Sequence, residues 1–190
     1  MKATFALLAD QATHNAVRTL AWHLHCTYRT GLRASRLPPH ISLKQPFAIA
    51  DIPALECYFD TFAARLSPFA VTLPTIRIIS TPTSPEVTGI VWFDVEETPL
   101  LRQLHNQLNH DLAHAFGDTH APFDGDSYHF HMTVAISNQP TEAYHQMQAN
   151  FGGADLKRSY TVQEIAMFVY DETIPGGMDY MTYKILSLGG

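Results

Sequence analysis

Apolar residues in this chain fall in short runs bounded by Pro, Gly and Asp. Between the runs they recur at helical spacing. Phe5 to Leu8 reads as a buried strand, and Asp10 or Thr13 is placed to cap a helix with Val17, Leu20, Ala21 and Leu24 on one face. Pro38-Pro39 then forces an extended chain into His40. Asp51-Ile52-Pro53 opens a second helix, with Leu55, Tyr58, Phe59, Phe62 and Leu66 as its buried side. Phe69 to Leu73, Ile76 to Ser80 and Gly89 to Val95 read as strands. Thr98-Pro99 starts a long helix striped by Leu101, Leu104, Leu108, Leu112 and Ala115. A polar loop, Gly117 to Ser127, feeds a strand over Tyr128 to Ile136, and Pro140 starts a shorter helix. Tyr160 to Tyr170 and Tyr180 to Leu188 form a strand pair across a Pro175-Gly176-Gly177 turn. The order of elements is that of a mixed α+β domain and hints at internal duplication.

Two of these strands carry nearly the same four residues: His40-Ile41-Ser42-Leu43 and His131-Met132-Thr133-Val134. Side chains alternate between the faces of a strand. His40 and Ser42 therefore share one face, with Ile41 and Leu43 buried on the other, and His131 and Thr133 pair above Met132 and Val134 in the same way. Each strand offers an imidazole beside a hydroxyl. Facing each other, two such strands supply two proton-transfer groups and two hydroxyl donors around one small anion. Imidazole titrates near neutrality and serves as base or acid there, and fixed hydroxyls suit phosphoryl oxygens. That set matches phosphodiester cleavage, without a metal or other cofactor.

At 190 residues, 46% of them apolar, the chain suits one domain or two small lobes sharing a core. A net charge of −6 with no basic stripe argues against a grip on long duplex nucleic acid and for a small nucleotide or an RNA end. No apolar run spans a membrane, and the opening segment reads as a strand instead of a cleaved signal. The two cysteines, Cys26 and Cys57, lack metal-type spacing and are expected as buried free thiols in a reducing cytoplasm.

The paired motifs, the Pro38-Pro39 lead-in and the strand–helix order resemble the two-histidine (2H) phosphoesterase superfamily, which includes bacterial 2′-5′ RNA ligase-like proteins and cyclic nucleotide phosphodiesterases. The resemblance covers most of the chain. It implies one domain over residues 1–190, made of two lobes with antiparallel-rich sheets, flanking helices and pseudo-twofold symmetry around a central cleft. It also implies His40 and His131 as the acid–base pair and Ser42 and Thr133 as phosphate-oxygen donors. The activity implied is on cyclic phosphodiester or 2′-5′ linkages.

Six neighbours are further candidates for substrate contact. Lys44 shares the face of His40 if the strand stays regular, and His129 shares that of His131. Phe47 and Tyr128, with Tyr170 and Tyr180, are candidate stacking partners for a base. Two competing readings remain. One is a metal site built from His129-Phe130-His131 or from His110 and His114, one helical turn apart. The other is a cleft that binds a nucleotide or RNA end without turnover. His14, His23, His25, His105, His120 and His145 are given no role, and most of them read as residues of helix or loop surfaces.

Overall fold

The computed structural model describes residues 1–84, 87–152, 154–171 and 180–189. Among these lie ten strands and four helices. The strands are β1 (Lys2–Leu8), β2 (His40–Ser42), β3 (Phe47–Ala48), β4 (Phe69–Leu73), β5 (Ile76–Ser84), β6 (Val87–Asp94), β7 (His131–Ser137), β8 (Arg158–Val162), β9 (Glu164–Tyr170) and β10 (Met181–Ser187). The helices are α1 (Gln11–Tyr28), α2 (Ile52–Ala64), α3 (Pro99–Phe116) and α4 (Thr141–Phe151). No helix among the described residues is long and apolar enough to cross a membrane. The Pro175-Gly176-Gly177 turn lies outside the described residues.

Three helix starts follow from local chemistry. The side chains of Asp10, Asp51 and Thr98 accept from the backbone N–H of Thr13, Ala54 and Leu101, at 2.8, 2.9 and 3.2 Å. Each satisfies a donor that the first helical turn leaves unpaired. Pro53 and Pro99 sit in those first turns, where a missing N–H costs little.

All strand pairs are antiparallel, and the main sheet runs β10-β9-β1-β2-β7-β6-β5, with β3 beside β1. The segment expected as one strand, Tyr160 to Tyr170, is two. It breaks at Gln163, so that β8 pairs with β4 in a separate ribbon while β9 joins β1 and β10. Alternation sorts β1 between two clusters. Phe5 and Leu7 enter the main core with the apolar stripes of all four helices, and Phe5 meets Phe59 edge-on at 4.8 Å. Ala6 and Leu8 instead join Ala166 and Phe168 in a smaller cluster. Burying each large core side chain contributes roughly 1.5–3 kcal/mol. The helical stripes pack into the main core on one face of the sheet, and the other face carries this smaller cluster.

Cys26 and Cys57 are free, as expected, but exposed. Both fall on the outward side of their helices, between the positions whose apolar stripe enters the core.

Candidate active site

The motif strands are neighbours in the sheet, joined through the registered pair Ile41–Met132. Both of these residues are fully buried. One residue either way along an antiparallel pair, His40 stands across from Thr133 and Ser42 across from His131. Imidazole and hydroxyl thus alternate diagonally over the β2–β7 junction, and all four residues are half-buried.

The two imidazoles repeat one hydrogen bond. Nδ1 of His40 lies 2.8 Å from the carbonyl of Pro38, and Nδ1 of His131 lies 2.9 Å from the carbonyl of His129. A carbonyl only accepts, so Nδ1 holds the proton in each neutral ring and Nε2 is left as the proton-accepting atom. Beyond that, their surroundings differ. His40 packs edge-on against Phe168, centroids 4.7 Å apart. His131 lies over Trp92 at 4.8 Å, beside a carboxylate.

Burial pushes the His40 imidazole down to about 4; the nearby His131 adds to the drop and the Pro38 carbonyl opposes it. Burial also lowers His131, and His129 adds to that, while the His129 carbonyl and Asp94 pull the other way. Both shifts favour the neutral ring near pH 7. The two rings are close enough for the charge of one to act on the other.

Three of the neighbouring residues expected at the site lie elsewhere. Strand β2 ends at Ser42 and the chain turns, so Lys44 does not keep the parity of His40. Its side chain is fully buried, and Nζ donates to Asn109 Oδ1 at 2.6 Å and to the Asp124 carboxylate. Phe47 is a core residue, 6.3 Å from Phe5. Tyr128 is also buried, stacked on His105 at 4.2 Å, and its hydroxyl donates to the Ser42 carbonyl at 3.0 Å. His129 does sit next to His131, with Nε2 3.1 Å from Asp94 Oδ1. Tyr170 and Tyr180 pair with each other at 5.2 Å.

His105, given no role from the sequence, is fully buried. Its Nδ1 donates to the Leu43 carbonyl at 2.7 Å and its Nε2 accepts from the Gly125 N–H at 3.0 Å. With Lys44–Asp124 and Tyr128, it ties the Gly117–Ser127 loop to the segment leaving β2. No group of three or more His, Cys, Asp or Glu among the described residues is arranged to hold a metal ion.

Sequence reading missed a second set of groups beside His131. Trp92 and Asp94 stand across from Thr133 and His131, and Arg77 across from Trp92. Their signal was the Trp-x-Asp spacing inside a strand that otherwise reads as apolar. On the other flank, a cavity of about 360 Å³ opens beside His40 and Thr133, lined in part by Leu37, Pro38, Ile136 and Tyr180.

A mixed helical and antiparallel fold with two histidine strands side by side is the two-histidine phosphoesterase architecture. The chain belongs to the 2′-5′ RNA ligase superfamily, whose family model matches residues 9–174. A Staphylococcus saprophyticus protein assigned by name to the phosphoesterases is 28% identical over 170 residues, 88% of this chain and 89% of that one. Among solved structures, TT0787 of Thermus thermophilus superposes with a TM-score of 0.65 at 15% identity, covering 100% of this chain and 99% of that one. Escherichia coli LigT complexed with 3′-AMP gives a TM-score of 0.55 at 19% identity, covering 100% and 98%. At these identities the structures speak for the fold.

Proposed function

We propose that this protein is a metal-independent phosphoesterase that opens cyclic phosphodiesters, 2′,3′-cyclic ones above all, or cleaves 2′-5′ linkages, on small nucleotides or RNA ends. The observation that carries this reading is the repeated hydrogen bond from Nδ1 to the carbonyl two residues upstream, at 2.8 Å for His40 and 2.9 Å for His131. It fixes the same tautomer twice and leaves two Nε2 atoms to handle protons around one anion.

In hydrolysis, the neutral imidazole of one histidine takes a proton from water as the water oxygen attacks phosphorus. The bond from phosphorus to the ribose 2′ or 3′ oxygen breaks, and that oxygen takes a proton from the imidazolium of the other histidine. The products are a phosphomonoester and a free hydroxyl, with one proton accepted and one returned. Positioned acid–base groups contribute on the order of 10² to 10⁴-fold each. The hydroxyls of Ser42 and Thr133 donate to the non-bridging oxygens, where charge builds up. The incoming phosphate itself favours the imidazolium that the reaction needs, because an opposite charge raises the lowered value of a buried imidazole. The bound 3′-AMP in LigT shows a nucleotide on a similar fold.

The test is hydrolysis of a 2′,3′-cyclic nucleotide panel in excess chelator, wild type beside His40→Ala and His131→Ala. Chelator-resistant turnover that drops on the order of 10³-fold or more in both variants is expected. Turnover abolished by chelator would overturn the metal-independent mechanism, and near-normal activity in either variant would overturn the acid–base assignment. Tight nucleotide binding with no turnover on any substrate would make the cleft a binding module.

A further inference from the structure

On the His131 side, the sheet carries groups that the proton transfers do not use. Arg77 stands across from Trp92, and Trp92 across from Thr133, so these side chains run outward from the motif on one face. Asp94, 7% exposed, fastens them together. Its Oδ1 accepts from the Trp92 indole N–H at 2.9 Å and lies 3.1 Å from His129 Nε2, and its Oδ2 accepts from Arg77 Nε. A buried carboxylate is costly unless donors surround it, and here each donor that stabilises it is a side chain at the rim of the site. The indole is locked in place, half-buried, and the Arg77 side chain stays 60% exposed.

The arrangement has the parts of a nucleotide subsite. Arg77 meets Asp94 through Nε, which turns the Nη edge of its planar fork away from that partner, and such an edge matches a phosphate. An immobilised aromatic ring beside it is the usual support for a base. The spacing also suits a nucleotide. Strand β5 lies two strands from β7, about 10 Å at ordinary strand separation, and the bond to Asp94 draws the guanidinium back toward His131. That leaves about one nucleotide unit between the phosphoryl position at the histidines and the Arg77 fork.

We propose that Trp92 and Arg77 bind the nucleoside arm of the substrate, with the base against the indole and a 5′-phosphate on the guanidinium. The preferred substrate is then a 2′,3′-cyclic phosphate whose nucleoside carries a further phosphate on its 5′ side. A bare nucleoside cyclic phosphate lacks half of this contact. This rests on the phosphoesterase reading of the same site. The 5′-phosphate is available from a free 5′-phosphorylated nucleotide or from the penultimate linkage of an RNA 3′ end.

Two measurements test it. The first compares kcat/KM on adenosine 2′,3′-cyclic phosphate, its 5′-phosphorylated form and a dinucleotide ending in the same cyclic phosphate. Wild type should favour the two substrates with the additional phosphate about tenfold or more, and Arg77→Gln should lower kcat/KM for them at least tenfold more than for the bare nucleoside. A dinucleotide preferred over the 5′-phosphorylated nucleotide identifies an RNA end as the source; the reverse identifies a free nucleotide. Equal rates on all three, or an equal loss on all three in Arg77→Gln, would overturn the subsite.

The second measurement needs no turnover. In a Trp22→Phe background, Trp92 is the one tryptophan left, since the chain has two. Adenosine 3′,5′-bisphosphate should quench its fluorescence with a Kd at least tenfold below that of 3′-AMP, and Arg77→Gln should erase the difference. No quenching by either ligand, or equal Kd values, would overturn the proposal. A binding preference without any hydrolysis would sink the phosphoesterase reading and leave this subsite standing.

Discussion

The Tyr128 hydroxyl donates a 3.0 Å hydrogen bond to the carbonyl of Ser42. The segment that leads into the second motif therefore holds the backbone of the first from the core side, through a ring that is itself buried. Ser42 is the last residue of a three-residue strand, so this bond steadies the point from which its hydroxyl, the proposed phosphate donor, projects. Tyr128→Phe keeps the ring and removes the donor, leaving a buried carbonyl without its partner. The expected cost is about 1–2 kcal/mol, read from urea denaturation. The expected kinetic effect is a fall in kcat larger than any rise in KM, because alignment at the phosphoryl group is lost. An unchanged urea midpoint would show that the bond carries no weight.

The ion pair between Lys44 and Asp124 calls for a different experiment. Their side chains are 1% and 4% exposed, so either charge left alone is stranded in the core. Lys44→Met should destabilise by about 3–5 kcal/mol. The double variant Lys44→Met with Asp124→Asn should be more stable than Lys44→Met alone, since the uncompensated carboxylate is gone; the Gln45 and Ala121 N–H groups donate to different carboxylate oxygens, so the amide keeps an acceptor for one of them and recovers part of the loss. A Lys44→Met protein of normal stability but raised KM would instead make Lys44 a phosphate ligand.

These two residues show where the sequence is legible and where it is not. The four motif positions follow from alternation, because Ile41 and Met132 bury on one face and force their neighbours onto the other. Lys44 was misplaced by the same rule: parity holds only while the strand lasts, and β2 stops at Ser42. Tyr128 and Phe47 look like base-stacking groups by residue type, but burial decides their role, and burial depends on partners far along the chain such as His105 and Phe5. Asp94 is hard to see because its one signal, the two-residue spacing from Trp92, does not distinguish a site acid from a strand-end residue. Its meaning comes from Arg77, Trp92 and His129, which only the sheet register brings together.

The pH dependence follows from the two imidazoles. His40 is pushed down from 6.5 to about 4, and His131 is also lowered, in both cases first by burial. The proposed mechanism needs one neutral ring and one protonated ring, and that singly protonated pair is most populated between the two values. The kcat/KM profile, which reports the free protein, should therefore peak below pH 6.5 and fall toward pH 8. The alkaline limb of kcat should lie at higher pH, because bound phosphate favours the imidazolium. Stability carries the same sign. The unfolded chain binds protons more readily than the folded one, so stability is full above about 6.5 and declines as pH falls toward 4. His40→Gln should flatten part of that decline in denaturation series across the window. A kcat/KM that rises up to pH 8 would contradict the burial of both rings.

Asp94 separates the two histidines chemically. Burial pushes its carboxyl up, but hydrogen bonds from Arg77, Trp92 and His129 outweigh that and hold it below its ordinary value, so it is ionised wherever the protein works. Its charge favours the imidazolium of His131. Phe168 gives His40 no such charge. Asp94→Asn keeps the shape and removes the charge. The alkaline limb of kcat/KM should then move to lower pH, so that the loss at pH 7.5 is about tenfold or more and shrinks at pH 5.5. The expected loss of stability is about 1–3 kcal/mol, since the Arg77 N–H has to share its site with a neutral amide. A uniform loss at every pH would mean that Asp94 only shapes the rim, and an unchanged limb with full activity would remove it from the mechanism.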